Sequence, residues 1–314
     1  MGLGKLRKPR NDAAKIMSEP PSHIPAETSR RAPAPQPPEP GLNIVSTPIG
    51  NLRDITLRAL DALAGADRIL TEDTRVARKL LDAYGIEAKV LPYHDHNGAK
   101  VRPEILTALA AGERVVLISD AGTPLISDPG YKLVRDAVAA GHPVRAIPGA
   151  SALLTGLAAA GLPSDAFFFA GFLPSRSGAR RNRLKELIAI PGTLIFYETG
   201  PRIAASLVDI ADVLGSREVV VARELTKRFE DYTRGSAPDL AAAYSVLRAP
   251  RGEITLLVGP GDGLIPPDLD IDAELKALLP GLGVKGAAAK VSDATGLNKR
   301  ELYARAQALK EAGR

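Results

Sequence analysis

Cysteine is absent from the 314 residues, which excludes a disulfide framework and a thiolate metal site. That absence suits the reducing cytoplasm. No apolar run reaches the length needed to cross a bilayer, so no membrane role is expected. The phosphate-loop pattern G-x-x-x-x-G-K-S/T does not occur either. Gly259-Pro260-Gly261-Asp262-Gly263 imitates a dinucleotide-binding turn, but no helical pattern follows it and it is rejected. His94-Asp95-His96 offers two ligand-type side chains and no third at a recognisable spacing, so no metal is expected. The triplet reads either as polar lining at a strand end or as a solvated turn. Charge of one sign is in small excess only: 41 basic residues face 36 acidic ones, a net of +5. Such a bias permits an anionic partner without demanding one.

What is present begins with a Pro-rich, basic arm over residues 1–40, which has too little apolar surface to offset the entropy of ordering it. The arm lacks the apolar stretch of a secretory signal, and Met17 is an alternative start within it. Residues 41–162 then alternate between short apolar runs and amphipathic ones. Strands are expected at 42–45, 68–71, 89–91, 115–118 and 143–147, with helices between them. Asp54 is the expected N-cap of the first helix, and Gly85 closes the second. Alternation of this kind implies a mostly parallel sheet with right-handed crossovers. A second α/β domain is expected over 163–260, and its runs at 218–222 and 230–234 follow one another with no helix between, so its sheet should be mixed. A Gly/Pro/Asp-rich linker at 261–270 leads to a small helical unit at 271–314, with a capping-box-like start at Asn298-Lys299-Arg300-Glu301.

Three loops carry the sharpest signal. Ser46-Thr47-Pro48-Ile49-Gly50-Asn51, the stretch from Ser119 to Asp128, and Pro148-Gly149-Ala150-Ser151 each follow a predicted parallel strand. In an α/β sheet such loops share one rim, and that rim is where ligands bind. Pro48, Gly50, Ser119, Asp120, Ala121, Gly122, Pro124, Pro148, Gly149 and Ser151 are the residues of these loops expected to hold the ligand. Asp128 reads first as the cap of the helix that begins after Gly130, with a secondary claim on the ligand.

The motifs Ser46 to Thr56, Glu72-Asp73-Thr74-Arg75, Tyr93-His94-Asp95-His96-Asn97, Ser119 to Gly130 and Arg223-Glu224-Leu225-Thr226-Lys227 occur in order. Together they resemble the ribosomal RNA small subunit methyltransferase I family of the tetrapyrrole methylase superfamily. The likeness runs from about Gly41 to Val258, and the C-terminal helical unit is also similar. Departures stand at Thr199-Gly200-Pro201-Arg202, where the family often has Ser-Pro-His-Arg, and at Pro148-Gly149-Ala150, where it often has Pro-Gly-Pro. The resemblance implies two α/β domains holding S-adenosylmethionine in the cleft between them, in a homodimer. It also implies methyl transfer to the ribose 2′-oxygen of a cytidine in the decoding region of 16S rRNA, free or in the small ribosomal subunit.

For that chemistry a group must accept the hydroxyl proton. Glu72, Asp73 and Glu224 are the first choices, with His94 and Asp120 also near the rim. Asp73 or Thr74 could equally cap the following helix. Arg75, Arg176, Arg180, Arg181, Arg223 and Lys227 are expected to meet RNA phosphates, with Arg183, Lys185, Arg228 and Arg234 near them. Two alternatives share these features: a C-methyltransferase for a tetrapyrrole precursor, and a non-catalytic RNA-binding protein of ribosome assembly.

Overall fold

The computed structural model describes residues 36–94, 96–261, 270–295 and 298–312, with side chains of 293–295 excepted. Most of the predicted arm, the body of the predicted linker, Asp95 and the last two residues lie outside the described residues. The first sheet is built from β1 (Gly41–Val45), β2 (Arg68–Thr71), β3 (Val90–Pro92), β4 (Arg114–Ile118) and β5 (Val144–Ile147). Its order is β3-β2-β4-β1-β5, and every pairing is parallel, as the alternation predicts.

Side chains alternate along its central strands, and both faces are apolar because helices cover both. Leu42, Ile44, Leu70, Val115 and Leu117 pack with Ile105 of α3 (Gly98–Ala110) and Leu133 of α4 (Tyr131–Ala139). Val45, Ile69, Val116 and Ile118 pack with Leu63 of α1 (Leu57–Ala64) and Leu81 of α2 (Thr74–Ala83). The cap of α1 is Thr56, whose hydroxyl accepts from the Ala59 N–H, and not the predicted Asp54. Asp54 lies in a 3-10 turn, Leu52–Asp54, that delays the helix by one step.

The second sheet joins β6 (Phe167–Phe172), β7 (Thr193–Thr199), β8 (Glu218–Arg223), β9 (Asp231–Ser236) and β10 (Glu253–Val258) in the order β6-β7-β10-β8-β9. It is mixed, as predicted: β6 runs parallel to β7, and the other pairs are antiparallel. On one face α6 (Ser177–Leu187), α7 (Gly200–Leu214) and α8 (Ala237–Val246) bury Leu184, Leu207, Ile210 and Leu240 against Phe196, Val221 and Leu256.

The other face is covered by α5 (Ala152–Ala160), which follows the last strand of the first sheet. Leu153, Leu157 and Ala160 pack on Ile195, Val220 and Leu257. Gly156 permits this approach, because a β-carbon there would lie 3.0 Å from Thr255 Cγ2. The boundary expected after residue 162 assigns α5 to the first domain, whereas its buried face belongs to the second sheet. The two sheets are thereby locked through one helix.

The C-terminal unit consists of α9 (Ile271–Thr295), broken at Gly283, and α10 (Lys299–Ala312). Leu275, Ala287, Val291, Leu302 and Ala306 form its core. Asn298 accepts from the Arg300 N–H at the start of α10, in keeping with the predicted cap. Among the described residues no helix is long and apolar enough to cross a membrane.

Candidate active site

Because β1, β4 and β5 are adjacent and parallel, the three loops that follow them emerge on one rim. The chain leaves β1 for β2 across β4, and leaves β4 for β5 across β1. The crevice between those departures is a switch point of the kind that binds ligands. Backbone bonds stitch it together. Thr47 and Gly122 exchange N–H···O bonds of 2.9 and 3.0 Å, an isolated antiparallel bridge between the first two loops. Thr47 Oγ1 donates to the Ser119 carbonyl at 3.2 Å. Thr123 Oγ1 lies 3.1 Å from Ser46 Oγ and donates to the Ala150 carbonyl at 3.2 Å, which ties in the third loop.

Backbone strain is concentrated here. Among the described residues only Leu125, Ser127, Glu224 and Thr226 have positive φ without being glycine. Such conformations persist where the surroundings over-determine them. The first two lie in the β4 loop. The last two lie in the loop after β8, across the cleft. Leu125 turns toward the core of the first sheet, while residues 126–128 line a cavity of about 290 Å³. Ile49, residues 120–123 and Ser151 complete the wall from the first sheet. Phe172, residues 197–199, Leu225 and residues 253–255 supply the opposite wall.

Of the residues predicted to hold a cofactor, Asp120, Ala121, Gly122 and Ser151 line this cavity. Pro48, Gly50 and Ser119 line a neighbouring hollow of about 380 Å³ that shares Asp120 and Ala121 with it. Pro124, Pro148 and Gly149 line neither, and stand behind the loops they shape. Sequence reasoning missed Tyr197, Phe172 and Leu225, whose place on the opposite wall follows from how α5 docks the second sheet.

The carboxylates predicted to act as base have different fates. Asp73 caps α2 by accepting from the Arg75 N–H at 2.8 Å, and grips the Arg75 guanidinium at 2.6 Å. Those bonds hold its carboxyl down at about 2. Glu224 accepts from Lys227 Nζ at 3.0 Å and from the Glu253 N–H at 3.1 Å, and the bond to Lys227 holds it below the usual range. Glu72 is exposed and forms no ion pair among the described residues. Asp120 accepts from the Asp73 N–H at 3.2 Å and faces the cavity. His94 Nδ1 accepts from the Asn97 N–H at 3.3 Å, and the ring does not line the cavity. No group of three His, Asp or Glu residues among the described ones could hold a metal.

Asp128 is the main correction. It does not cap α4; Gly130 occupies that N-cap with φ of 134°, and no side chain bonds there. Two residues of separation and the turn at Pro129-Gly130 carry Asp128 away from the helix and onto the cavity wall. Desolvation by burial pushes its carboxyl up to about 6, and the charges of Glu72 and Asp120 add to the shift. The Ser119 hydroxyl opposes it.

The predicted phosphate contacts also divide. Arg180 is buried, and its guanidinium binds Asp209 at 2.6 and 2.7 Å and the carbonyls of Ser175 and Ala205 at 3.1 and 3.3 Å. It is a tether between α6 and α7 and cannot meet RNA. Its spacing with Leu184 and Leu187 puts it on the apolar stripe, a signal that was present in the sequence. Lys227 is held between Glu224 and Glu253, at 3.0 and 2.8 Å, so its charge is already offset. Arg181 pairs with Asp212 at 2.5 Å but remains partly exposed. Arg75 and Arg176 are exposed, and Arg223 is half-buried, donating to the Arg251 carbonyl at 3.4 Å.

Residues 41–241 match the model of the tetrapyrrole (corrin/porphyrin) methylases, and residues 266–310 match the RsmI C-terminal HTH domain. The chain is 49% identical over 277 residues to ribosomal RNA small subunit methyltransferase I of Mesorhizobium japonicum, covering 88% of this chain and 94% of that one. It is 47% identical over 266 residues to the protein of the same name from Escherichia coli O157:H7, covering 83% and 93%. Among solved structures, diphthine synthase aligns with a TM-score of 0.56 at 16% identity over 71% of this chain and 90% of that one. The methyltransferase CobJ aligns with a TM-score of 0.53 at 21% identity over 71% and 95%. The two structures speak to the fold alone. The sequence matches reach further, spanning both sheets and the helical unit, and on them the chain belongs to the tetrapyrrole methylase family and, within it, to the ribosomal RNA small subunit methyltransferase I group.

Proposed function

We propose that this chain transfers the methyl group of S-adenosylmethionine to the ribose 2′-oxygen of a cytidine in the decoding region of 16S rRNA. The coarser statement, an S-adenosylmethionine-dependent rRNA methyltransferase, follows from the family. The observation that carries the reading is the cavity at the switch point. Its wall combines apolar faces at Ile49, Ile126 and Leu225 with backbone groups at residues 121–123 and the unpaired carboxylates Asp120 and Asp128. That donor set suits a ligand with a flat ring at one end and a cationic sulfonium and ammonium at the other. Residues 120–123, Ile126 and Ser151 would hold it, and Pro48, Gly50 and Ser119 would border the approach of the nucleotide. Bound there, the cofactor supplies an electrophilic methyl. The chain supplies alignment, which can account for roughly 7–11 kcal/mol of a barrier, together with a proton acceptor.

Arg75, Arg176, Arg181 and Arg223 are the proposed phosphate contacts, which would position the RNA without reading its sequence. A cytoplasmic homodimer is part of the proposal. Strand β6 lies at the edge of its sheet and exposes Phe167 and Phe168, an edge that natural proteins cover. The deciding test is mass spectrometry of 16S rRNA from cells with and without the protein. Loss of one cytidine ribose methyl is expected; an unchanged rRNA alongside methylated porphyrin precursors would overturn the reading. Sedimentation of the purified chain at twice its monomer mass is the expected result for the dimer.

A further inference from the structure

Asp128 stands on the cavity wall with no ion pair among the described residues and with no helix to cap. Every other carboxylate around the cavity has a partner or open solvent. Glu198 is buried, accepts from Ser206 Oγ at 2.7 Å and the Thr199 N–H at 2.9 Å, and pairs with Arg202 at 3.2 Å. Glu253 is largely exposed and holds Lys227, and Asp120 is exposed and accepts from Asp73. Among the described carboxylates that line the cavity, Asp128 alone is both partly withdrawn from water and without a cation, and its neighbour Ser127 lies at φ 69°.

We infer that Asp128 is the catalytic residue that accepts the proton of the attacking hydroxyl. The inference rests on the proposed function, and deepens it by naming the group. In the balanced step, the hydroxyl proton passes to an Asp128 carboxylate oxygen as the oxygen–methyl bond forms. The methyl–sulfur bond breaks, and its electron pair stays on sulfur to give a neutral thioether. Asp128 later returns its proton to water. A carboxylate poised near the working pH is a far better acceptor than one held low by a guanidinium. The groups that face Asp128 are Glu72 and Asp120, both acidic, and the Tyr197 phenol; the Ser119 hydroxyl bonds it. With Asp128 titrating at about 6, the base form prevails above that pH and is lost below it.

The test uses the full chain with carbon-13-labelled aspartate. One carboxyl resonance, absent from Asp128→Asn, should titrate near pH 6 in the free protein. Its midpoint should fall on adding S-adenosylmethionine and fall less with S-adenosylhomocysteine, which lacks the sulfonium charge. In single-turnover methylation of the RNA, wild type should lose rate as pH drops below the lowered midpoint of the S-adenosylmethionine complex. Asp128→Asn, at saturating S-adenosylmethionine, should run about 10²–10⁴-fold slower with that limb gone; it should melt cooperatively and bind the cofactor more weakly only by the factor that the midpoint shift sets. Asp128→Glu should restore part of the rate. If the wild type methylates the ribose and Asp128→Asn keeps the rate and its acid limb, or if the two cofactor forms move the resonance equally, the assignment of Asp128 is wrong. If the wild type methylates another acceptor, the proposed function fails instead.

Discussion

The two walls of the cleft use the same residue types to opposite ends. On the wall from the second sheet every carboxylate has a cation: Glu198 has Arg202, and Glu224 and Glu253 share Lys227. On the wall from the first sheet, Asp120 and Asp128 form no ion pair among the described residues, and the loops are held by backbone and hydroxyl bonds instead. Pairing makes a carboxylate rigid and a poor base. Leaving it unpaired beside other negative charges costs stability and makes it reactive. The second wall is therefore braced by ion pairs and the first is the proposed seat of the chemistry, although both read in the sequence as polar loops after strands.

The largest break in that comparison should come from the scaffold. Replacing Arg180 with Ala leaves Asp209 buried with only the Ser177 hydroxyl and the partly exposed Arg181, 3.7 Å away, beside it, and breaking a buried pair costs about 3–5 kcal/mol. Denaturant unfolding should show a midpoint far below wild type, and any fall in RNA binding should follow the fraction folded. On the other wall, Gly122→Val forces a β-branched side chain to φ of 80°, with its β-carbon 3.2 Å from Ile49. The strain, of order 1–3 kcal/mol, would displace the Thr47 bridge. Calorimetric titration should find S-adenosylmethionine binding abolished while circular dichroism still reports a folded chain; normal binding would move the cofactor site elsewhere.

Asp128→Asn should act in the opposite direction on stability. A carboxyl raised to about 6 binds its proton more tightly folded than unfolded, so ionising it at neutral pH weighs against the folded state. The neutral variant should gain about 1–3 kcal/mol at pH 7. That gain should shrink as pH falls below 6 and vanish below about pH 4, where wild type is protonated in both states. Thermal melts across that range would settle it, and a variant less stable than wild type at pH 7 would make Asp128 a structural residue. The smallest change is expected at Arg176→Ala, within ±0.5 kcal/mol of wild-type stability. Its signature would be a shallower salt dependence of RNA binding, measured by filter retention.

Much of the fold was legible because its signals are local. The strand-helix alternation over 41–162 survives at every strand, and the missing helix between the runs at 218 and 230 marked the mixed sheet. The convergence of the rim loops was legible too, since parallel strands send their ends one way. Charged side chains were harder. A run of arginines in α6 looks uniform in sequence, yet Arg180 points inward while Arg176 points out. Asp128 looked like a cap because Asp before a helix usually is one, and only the φ of Gly130 reveals that the chain turns first.

By itself the sequence determined the two kinds of sheet, the rim where the three loops meet, and the family. Those follow from periodicity and from Gly and Pro placement, which act over a few residues. Tertiary structure alone decided that α5 closes the second sheet, that Lys227 and Arg180 are neutralised, and that Asp128 stands in the cavity wall with no cation among the described residues. Each of these depends on what a side chain meets from a distant part of the chain, and desolvation and ion pairing are set by those meetings.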